Sequence, residues 1–234
     1  MTLVCGADGC RAGWVALIKD LATGVISWRL CRTVADLAHG EPAPQIAAID
    51  IPIGLPDRGA RECDLQARKL LGRGRGSSVF PAPIRPVLDA ASYEEACRIR
   101  FQEEGKKLSI QTWRIVPKIR EVDDLLRQDL ALQAVVREVH PEVSFFTLAG
   151  ERSMQHSKKT RAGKEERKSL LEPVYGRWLA TALAETRALR CSEDDVLDAF
   201  AALWTAGRIA SGTSRSLPGT PPQDSFGLRM EIVA

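Results

Sequence analysis

Leu3-Val4-Cys5-Gly6-Ala7-Asp8, followed by Trp14–Ile18 and Val25–Leu30, is the stretch whose reading decides the fold. Each run is short, apolar and bounded by turn residues, and the gaps between runs are too small to hold a helix. Asp20 to Gly24 supplies turn chemistry between the second and third runs. The three therefore read as an antiparallel meander.

Thr33–Ala38 has the pattern of a short capped helix, ended by Gly40, Pro42 and Pro44. Ile46–Ile53 is an almost unbroken apolar run, as expected of a central strand covered on both faces, and Asp50 interrupts it. After Pro56 helices are expected at Arg61–Leu71, Tyr93–Glu104 and Val122–Leu130. The intervening Gly72-Arg73-Gly74-Arg75-Gly76-Ser77-Ser78 is too rich in glycine to be helical throughout. Residues 57–134 thus read as a helical insertion after the fourth strand.

A fifth strand is expected at Ala134–Val139, with Glu142 at its end, and a basic helical segment at Lys164–Leu189. A last helix follows at Ser192–Ile209, and Met230–Val233 reads as an edge strand. With the insertion set aside, the order is β-β-β-α-β-α-β-α. That is the order of a ribonuclease-H-like α/β fold, a mixed five-stranded sheet flanked by helices, here as one domain over residues 1–234. A doubly wound dinucleotide fold needs helices between the early strands, and there is no room for them.

Composition narrows the chemistry. The 234 residues are 44% hydrophobic and 27% charged, ordinary for a soluble globular protein. No run approaches the roughly 20 apolar residues of a membrane span, and no basic head precedes an apolar stretch at the N-terminus. A cytoplasmic protein without membrane partners is the expectation. Cys5, Cys10, Cys31, Cys63, Cys97 and Cys191 are scattered without a C-x-x-C pair, which fits reduced thiols. With three histidines, a zinc cluster is disfavoured and a hard, oxygen-liganded Mg²⁺ or Mn²⁺ is the metal to expect. Net charge is only +3, yet residues 151–190 carry ten Lys/Arg against five Glu, and residues 191–234 carry three Arg against six acids. A basic element beside an acidic one suits a metal site flanked by phosphate-binding surface, or simply a solvated helix beside a buried one.

Asp198 stands out among the acids, because Val196, Leu197, Ala199, Phe200 and Leu203 surround it on a helix apolar nearly all round. A buried carboxylate there needs a metal, a cation such as an arginine, or a water-filled cleft. Asp195 lies three residues earlier and faces the same way; in Ser192-Glu193-Asp194-Asp195 it also has the spacing of a capping box. Asp50 ends the buried strand just before Pro52 and Gly54, where ligands gather in open α/β sheets or where an Asx turn would form. Asp8 ends the first strand, and Asp8-Gly9 is equally a hairpin-turn pair. Glu142 could complete a carboxylate cluster; His140 beside it reads as structural. Arg75, Ser77 and Ser78 offer a guanidinium, hydroxyls and glycine-freed amides to a phosphate, unless the loop is a mere connection. Lys118 has a phosphate or the nearby Glu121 and Asp123 as partners.

Six segments together resemble one family. They are Gly6-Ala7-Asp8-Gly9-Cys10-Arg11-Ala12-Gly13-Trp14, Asp50-Ile51-Pro52-Ile53-Gly54-Leu55-Pro56, Gly76-Ser77-Ser78-Val79-Phe80-Pro81-Ala82-Pro83, Pro117-Lys118-Ile119-Arg120-Glu121-Val122-Asp123, His140-Pro141-Glu142-Val143-Ser144-Phe145 and Asp194-Asp195-Val196-Leu197-Asp198-Ala199. The chain resembles, over nearly its whole length, the predicted ribonuclease-H-like nucleases catalogued as domain of unknown function 429. The resemblance implies metal ligands on the first strand, the fourth strand and a closing helix, which here are Asp8, Asp50 and Asp198, with Asp195 paired to the last. Holliday-junction resolvases are similar in using two helix acids at this spacing, but they have Glu where Asp50 stands and lack an insertion like 57–134.

The resulting expectation is a hydrolase, a metal-dependent nuclease acting on DNA or RNA. Its catalytic set is Asp8, Asp50, Glu142, Asp195 and Asp198; Mg²⁺ or Mn²⁺ is held by Asp8, Asp50 and Asp198; Arg75, Ser77, Ser78 and Lys118 bind substrate. One alternative is a non-catalytic nucleic-acid or protein-binding module on the same fold. The other is small-molecule phosphotransfer on an actin-like core, against which one copy of the core and the lack of a P-loop count. Nothing in the sequence fixes the oligomeric state.

Overall fold

The computed structural model describes residues 2–234. Three strands, β1 (Leu3–Cys10), β2 (Gly13–Asp20) and β3 (Ile26–Cys31), form the antiparallel meander, followed by helix α1 (Val34–Ala38) and strand β4 (Ile46–Ile49). The sheet order is β3-β2-β1-β4-β5, with β5 at Val136–Glu138, and β4 runs parallel to both β1 and β5. This is a mixed five-stranded α/β architecture.

β1 is longer than its apolar run. It continues through Asp8 and Gly9 to Cys10, pairing Asp8 with Val15, so the tight turn falls at Arg11-Ala12 and not at Asp8-Gly9. β4 is shorter than expected and stops at Ile49, leaving Asp50 at its end, because Pro52 has no N–H to donate to a ladder.

Alternation along the strands sorts two cores onto the two faces. Cys5, Ala7, Trp14, Ala16, Ala47 and Ile49 face one way and pack with Val116, Ile119, Val122 and Leu126. Val4, Val15, Leu17 and Ala48 face the other way and pack with Phe145, Leu171, Val196, Ala199, Phe200 and Leu203. Residues 57–134 supply much of the layer over the first core, beside α1, while their first helix packs Cys63, Ala67 and Leu71 against Val143 and Phe146. They carry α2 (Glu62–Arg75), α3 (Tyr93–Glu104), α4 (Ile110–Gln128) and α5 (Leu132–Val135). α4 begins twelve residues before the expected Val122 and carries Pro117 in its interior. Ser109 caps it, its hydroxyl accepting from the Thr112 amide at 3.0 Å.

The opposite layer holds α6 (Pro141–Leu148), α7 (Arg161–Tyr175), α8 (Arg177–Ala184) and α9 (Glu193–Ala210). α6 is absent from the sequence reading; Pro141 at its first position starts a helix instead of ending a strand. The expected single basic helix is split at Gly176. α9 lies against β1 so closely that a Cβ on Gly6 would sit 2.0 Å from the Leu203 amide nitrogen and 2.5 Å from the Ala199 carbonyl oxygen. Only glycine permits this approach. Short strands β6 (Ser216–Leu217) and β7 (Ile232–Val233) pair, and Val233 bridges in parallel to Val139, extending the sheet edge. All six cysteines are free, and no helix among the described residues is long and apolar enough to cross a membrane.

Candidate functional site

The acids meet because three local rules agree. Asp8 follows the side-chain parity of Val4 and so points to the α9 face; Asp50 follows that of Ala48 and does the same. The Asp50 amide donates to the Ala7 carbonyl at 3.1 Å, seating the two aspartates at neighbouring positions of parallel strands. Asp198 precedes Ala199, whose carbonyl touches Gly6, so the close helix–strand approach brings a third carboxylate to the same end of the sheet.

A cavity of about 520 Å³ opens there. Asp8, Asp50 and Glu142 line it, and so do Arg75, Ser77, Ser78 and Lys118. Asp198 lies beneath, 1% exposed, and reaches the cavity through its ion pair with Lys158, which lines it. Among the described residues the Asp8 and Asp50 carboxylates accept no hydrogen bond, so the Asx turn considered for Asp50 does not form. Burial, then repulsion from Asp50 and Asp198, pushes the Asp8 carboxyl well above the usual carboxylate range. Burial pushes Asp50 up to about 6, against the favourable fields of His140 and Lys158. The Lys158 ammonium is held charged, chiefly by Asp198 and against the effect of burial.

Asp195 serves the cap. Its amide donates to Ser192 Oγ at 3.3 Å, and its Oδ2 accepts from the Ser192 amide at 2.8 Å. Glu142 sits in the first turn of α6, not at the end of β5, and its Oε1 is paired with the fully buried Arg167. Its Oε2 and the His140 Nδ1 are buried and without a partner among the described residues. Arg75 stands just past a kink at Gly72 (φ 67°), with its Nε given to the Met154 carbonyl at 2.8 Å. Ser77 and Ser78 form a one-turn 3₁₀ helix from Gly76, and the Arg68 guanidinium holds Val79 by its carbonyl at 2.7 Å. Lys118 donates to the Gly13 carbonyl at 2.7 Å and lies over the Trp14 ring at 4.3 Å; burial lowers its pKa.

Five charged residues of the cavity lining escape the sequence reading as site residues: Arg61, Asp64, Glu138, Lys158 and Lys159. Arg61 forks onto Glu138 at 2.7 and 2.8 Å and bonds Asp64 at 2.6 Å. Asp64 also accepts from the Ala82 amide at 3.0 Å, and Glu138 from the Ile53 amide at 2.6 Å. The spacing of Arg61 and Asp64 on a helix is the one signal the sequence offers for this group. Lys158, in an ordinary basic run, offers none.

The oxygen-only donors Asp8, Asp50 and Asp198 suit Mg²⁺ or Mn²⁺ in chemistry. In their present positions, with Lys158 on Asp198, no three His, Cys, Asp or Glu side chains among the described residues are grouped to hold an ion.

Comparison with curated proteins and with solved structures finds no match. A family model does match, over residues 6–223, and takes in every residue named in this site. The chain belongs to the family described as "Protein of unknown function (DUF429)".

Proposed function

We propose that this chain is a metal-dependent nuclease on a ribonuclease-H-like fold, hydrolysing phosphodiester bonds of nucleic acid through Asp8, Asp50 and Asp198. The observation that carries the reading is the convergence of these acids, from the first strand, the end of the fourth strand and the closing helix, onto one cavity. The antiparallel meander continued by parallel β4 and β5 is the frame that such a fold requires. When bound, Mg²⁺ or Mn²⁺ polarises the phosphoryl oxygen and the attacking water. The protein's own groups then divide the remaining work. Arg75, Ser77, Ser78 and Lys118 hold substrate phosphates, and burial raises the proton affinity of both Asp8 and Asp50, that of Asp50 to a pKa of about 6.

Purified protein with Mg²⁺ or Mn²⁺, assayed on single-stranded and structured DNA and RNA, is expected to cleave at least one substrate. Asp198→Asn is expected to lose activity at least about 100-fold, in line with removal of a group acting in the transition state. Equal activity in wild type and Asp198→Asn overturns the proposal. The Lys158–Asp198 pair favours a second reading, a non-catalytic module that binds nucleic acid without metal. That reading expects salt-dependent binding indifferent to chelator and no cleavage under any condition.

A further inference from the structure

Lys158 is a cation inserted among carboxylates. It lies in the segment between α6 and α7, and its ammonium bonds Asp198. Its side chain is 37% exposed while that of Asp198 is 2% exposed, so the stem reaches in from the surface and only the head is enclosed. The neighbouring lysines make a different choice. Lys159 binds Asp194 at 2.6 Å and Lys164 binds Glu193 at 2.9 Å, both on the first turn of α9. Lys159 also lines the cavity, but Lys158 alone of the three bonds Asp198, beside Asp8 and Asp50, which among the described residues accept no hydrogen bond, and beside the buried, unpartnered Glu142 Oε2. One ammonium thus stands against more negative charge than it neutralises.

We propose that Lys158 is a resident counter-ion occupying the place a divalent cation takes, so that the Lys158–Asp198 pair and metal loading exclude one another and Lys158 sets the metal affinity of the site. The inference rests on the reading of Asp8, Asp50 and Asp198 as metal-binding. An ammonium has three donors, a single charge and no acceptor, so it lends one Asp198 oxygen a bond and leaves the other carboxylates unsatisfied. A divalent ion brings twice the charge and takes six or more oxygens. Two cations in one carboxylate pocket repel, and the lysine, compact and on a flexible stem with an open path to solvent, is the one able to withdraw. The ion-free protein is thereby spared an unpaired, buried Asp198 carboxylate.

The test uses Mn²⁺ alone, without nucleic acid. Calorimetric titration and thermal melts compare wild type, Lys158→Met and Asp198→Asn. Lys158→Met is expected to bind Mn²⁺ at least tenfold more tightly than wild type, to melt lower than wild type in chelator, and to regain that loss at saturating Mn²⁺. Asp198→Asn is expected to bind at least tenfold more weakly. Equal or weaker binding by Lys158→Met, beside a loss in Asp198→Asn, overturns the counter-ion role and leaves the metal reading standing. No binding by any of the three removes the metal reading and this inference with it. Should Lys158→Met fail to fold, the wild-type protein answers directly. Saturating Mn²⁺ at fixed pH is expected to raise the acetylation rate of Lys158 several-fold relative to Lys159, read by mass spectrometry, and an unchanged ratio overturns the proposal.

Discussion

Two groups of charges line the same cavity on opposite terms. Arg61, Asp64 and Glu138 form a closed set: the guanidinium is bonded on all three nitrogens, and each carboxylate also takes a backbone amide. Asp8, Asp50, Asp198 and Lys158 form an open one, with one ammonium among three acids and two carboxylates without a donor among the described residues. Buried charges persist where their hydrogen bonds are complete; where they are not, folding alone gives no reason for the arrangement. The closed set fixes the loop after β4 onto β5.

Breaking the closed set is expected to have the largest effect. Arg61→Ala leaves two buried carboxylates unpaired, and a loss of about 3–5 kcal/mol in denaturant unfolding is expected, a large part of typical domain stability. A loss under about 1 kcal/mol would refute its structural role. Gly6→Ala drives a methyl into the backbone of α9 and is expected to lose about 3 kcal/mol, the upper end for overpacking. Because the clash separates α9 from β1, Mn²⁺ affinity should fall with stability, whereas in Arg61→Ala any protein that still folds should bind the ion.

The open set should respond with the opposite sign. Asp50 has a folded pKa of about 6 against an ordinary 3.8, so the folded protein holds its proton the more tightly between those values. Stability therefore falls as pH rises through that window, and the full penalty is present above pH about 6. Asp50→Asn removes the charge and is expected to stabilise the protein by about 1–3 kcal/mol at pH 7, with the difference gone by pH about 4, while activity is lost. A destabilised Asp50→Asn at pH 7 would place Asp50 with the closed set. The smallest effect is expected at the helix cap. Ser192→Ala should cost about 1 kcal/mol through the N-terminus of α9, and Asp195→Asn should act through the same cap and leave Mn²⁺ affinity within twofold.

Much of the fold is legible locally. Short apolar runs with turn residues between them identify the meander, and α3 has the expected limits Tyr93–Glu104 because Ser92 caps it and Gly105 ends it in the left-handed region. Proline is where local reading fails. Pro117 lies within α4, which the reading begins only at Val122, and Pro141 begins α6, which the reading lacks, since a missing N–H is tolerable at a helix start and is compensated by packing in the interior. Within the site, Asp8, Asp50 and Glu142 read in the sequence as acids at strand ends, and all three line the cavity with Arg75, Ser77, Ser78 and Lys118, although Asp8 lies inside β1 and Glu142 on α6. Asp195 carries two meanings in the sequence, and only the observed bonds to Ser192 show the cap.

The sequence by itself determines which way each strand residue faces, where turns and caps fall, and that Asp198 must be buried in an apolar helix. These follow from short-range geometry: a period of two in strands, 3.6 in helices, and backbone donors that need partners within a few residues. What only the tertiary structure decides is which charge meets which. Lys158 is 40 residues from Asp198, Glu138 is 77 from Arg61, and Glu142 is 25 from Arg167. A lysine in an ordinary basic run carries no local mark of its partner. Its pairing is set by where α9 and the segment between α6 and α7 are held, through the contact at Gly6 and the cores on each face of the sheet.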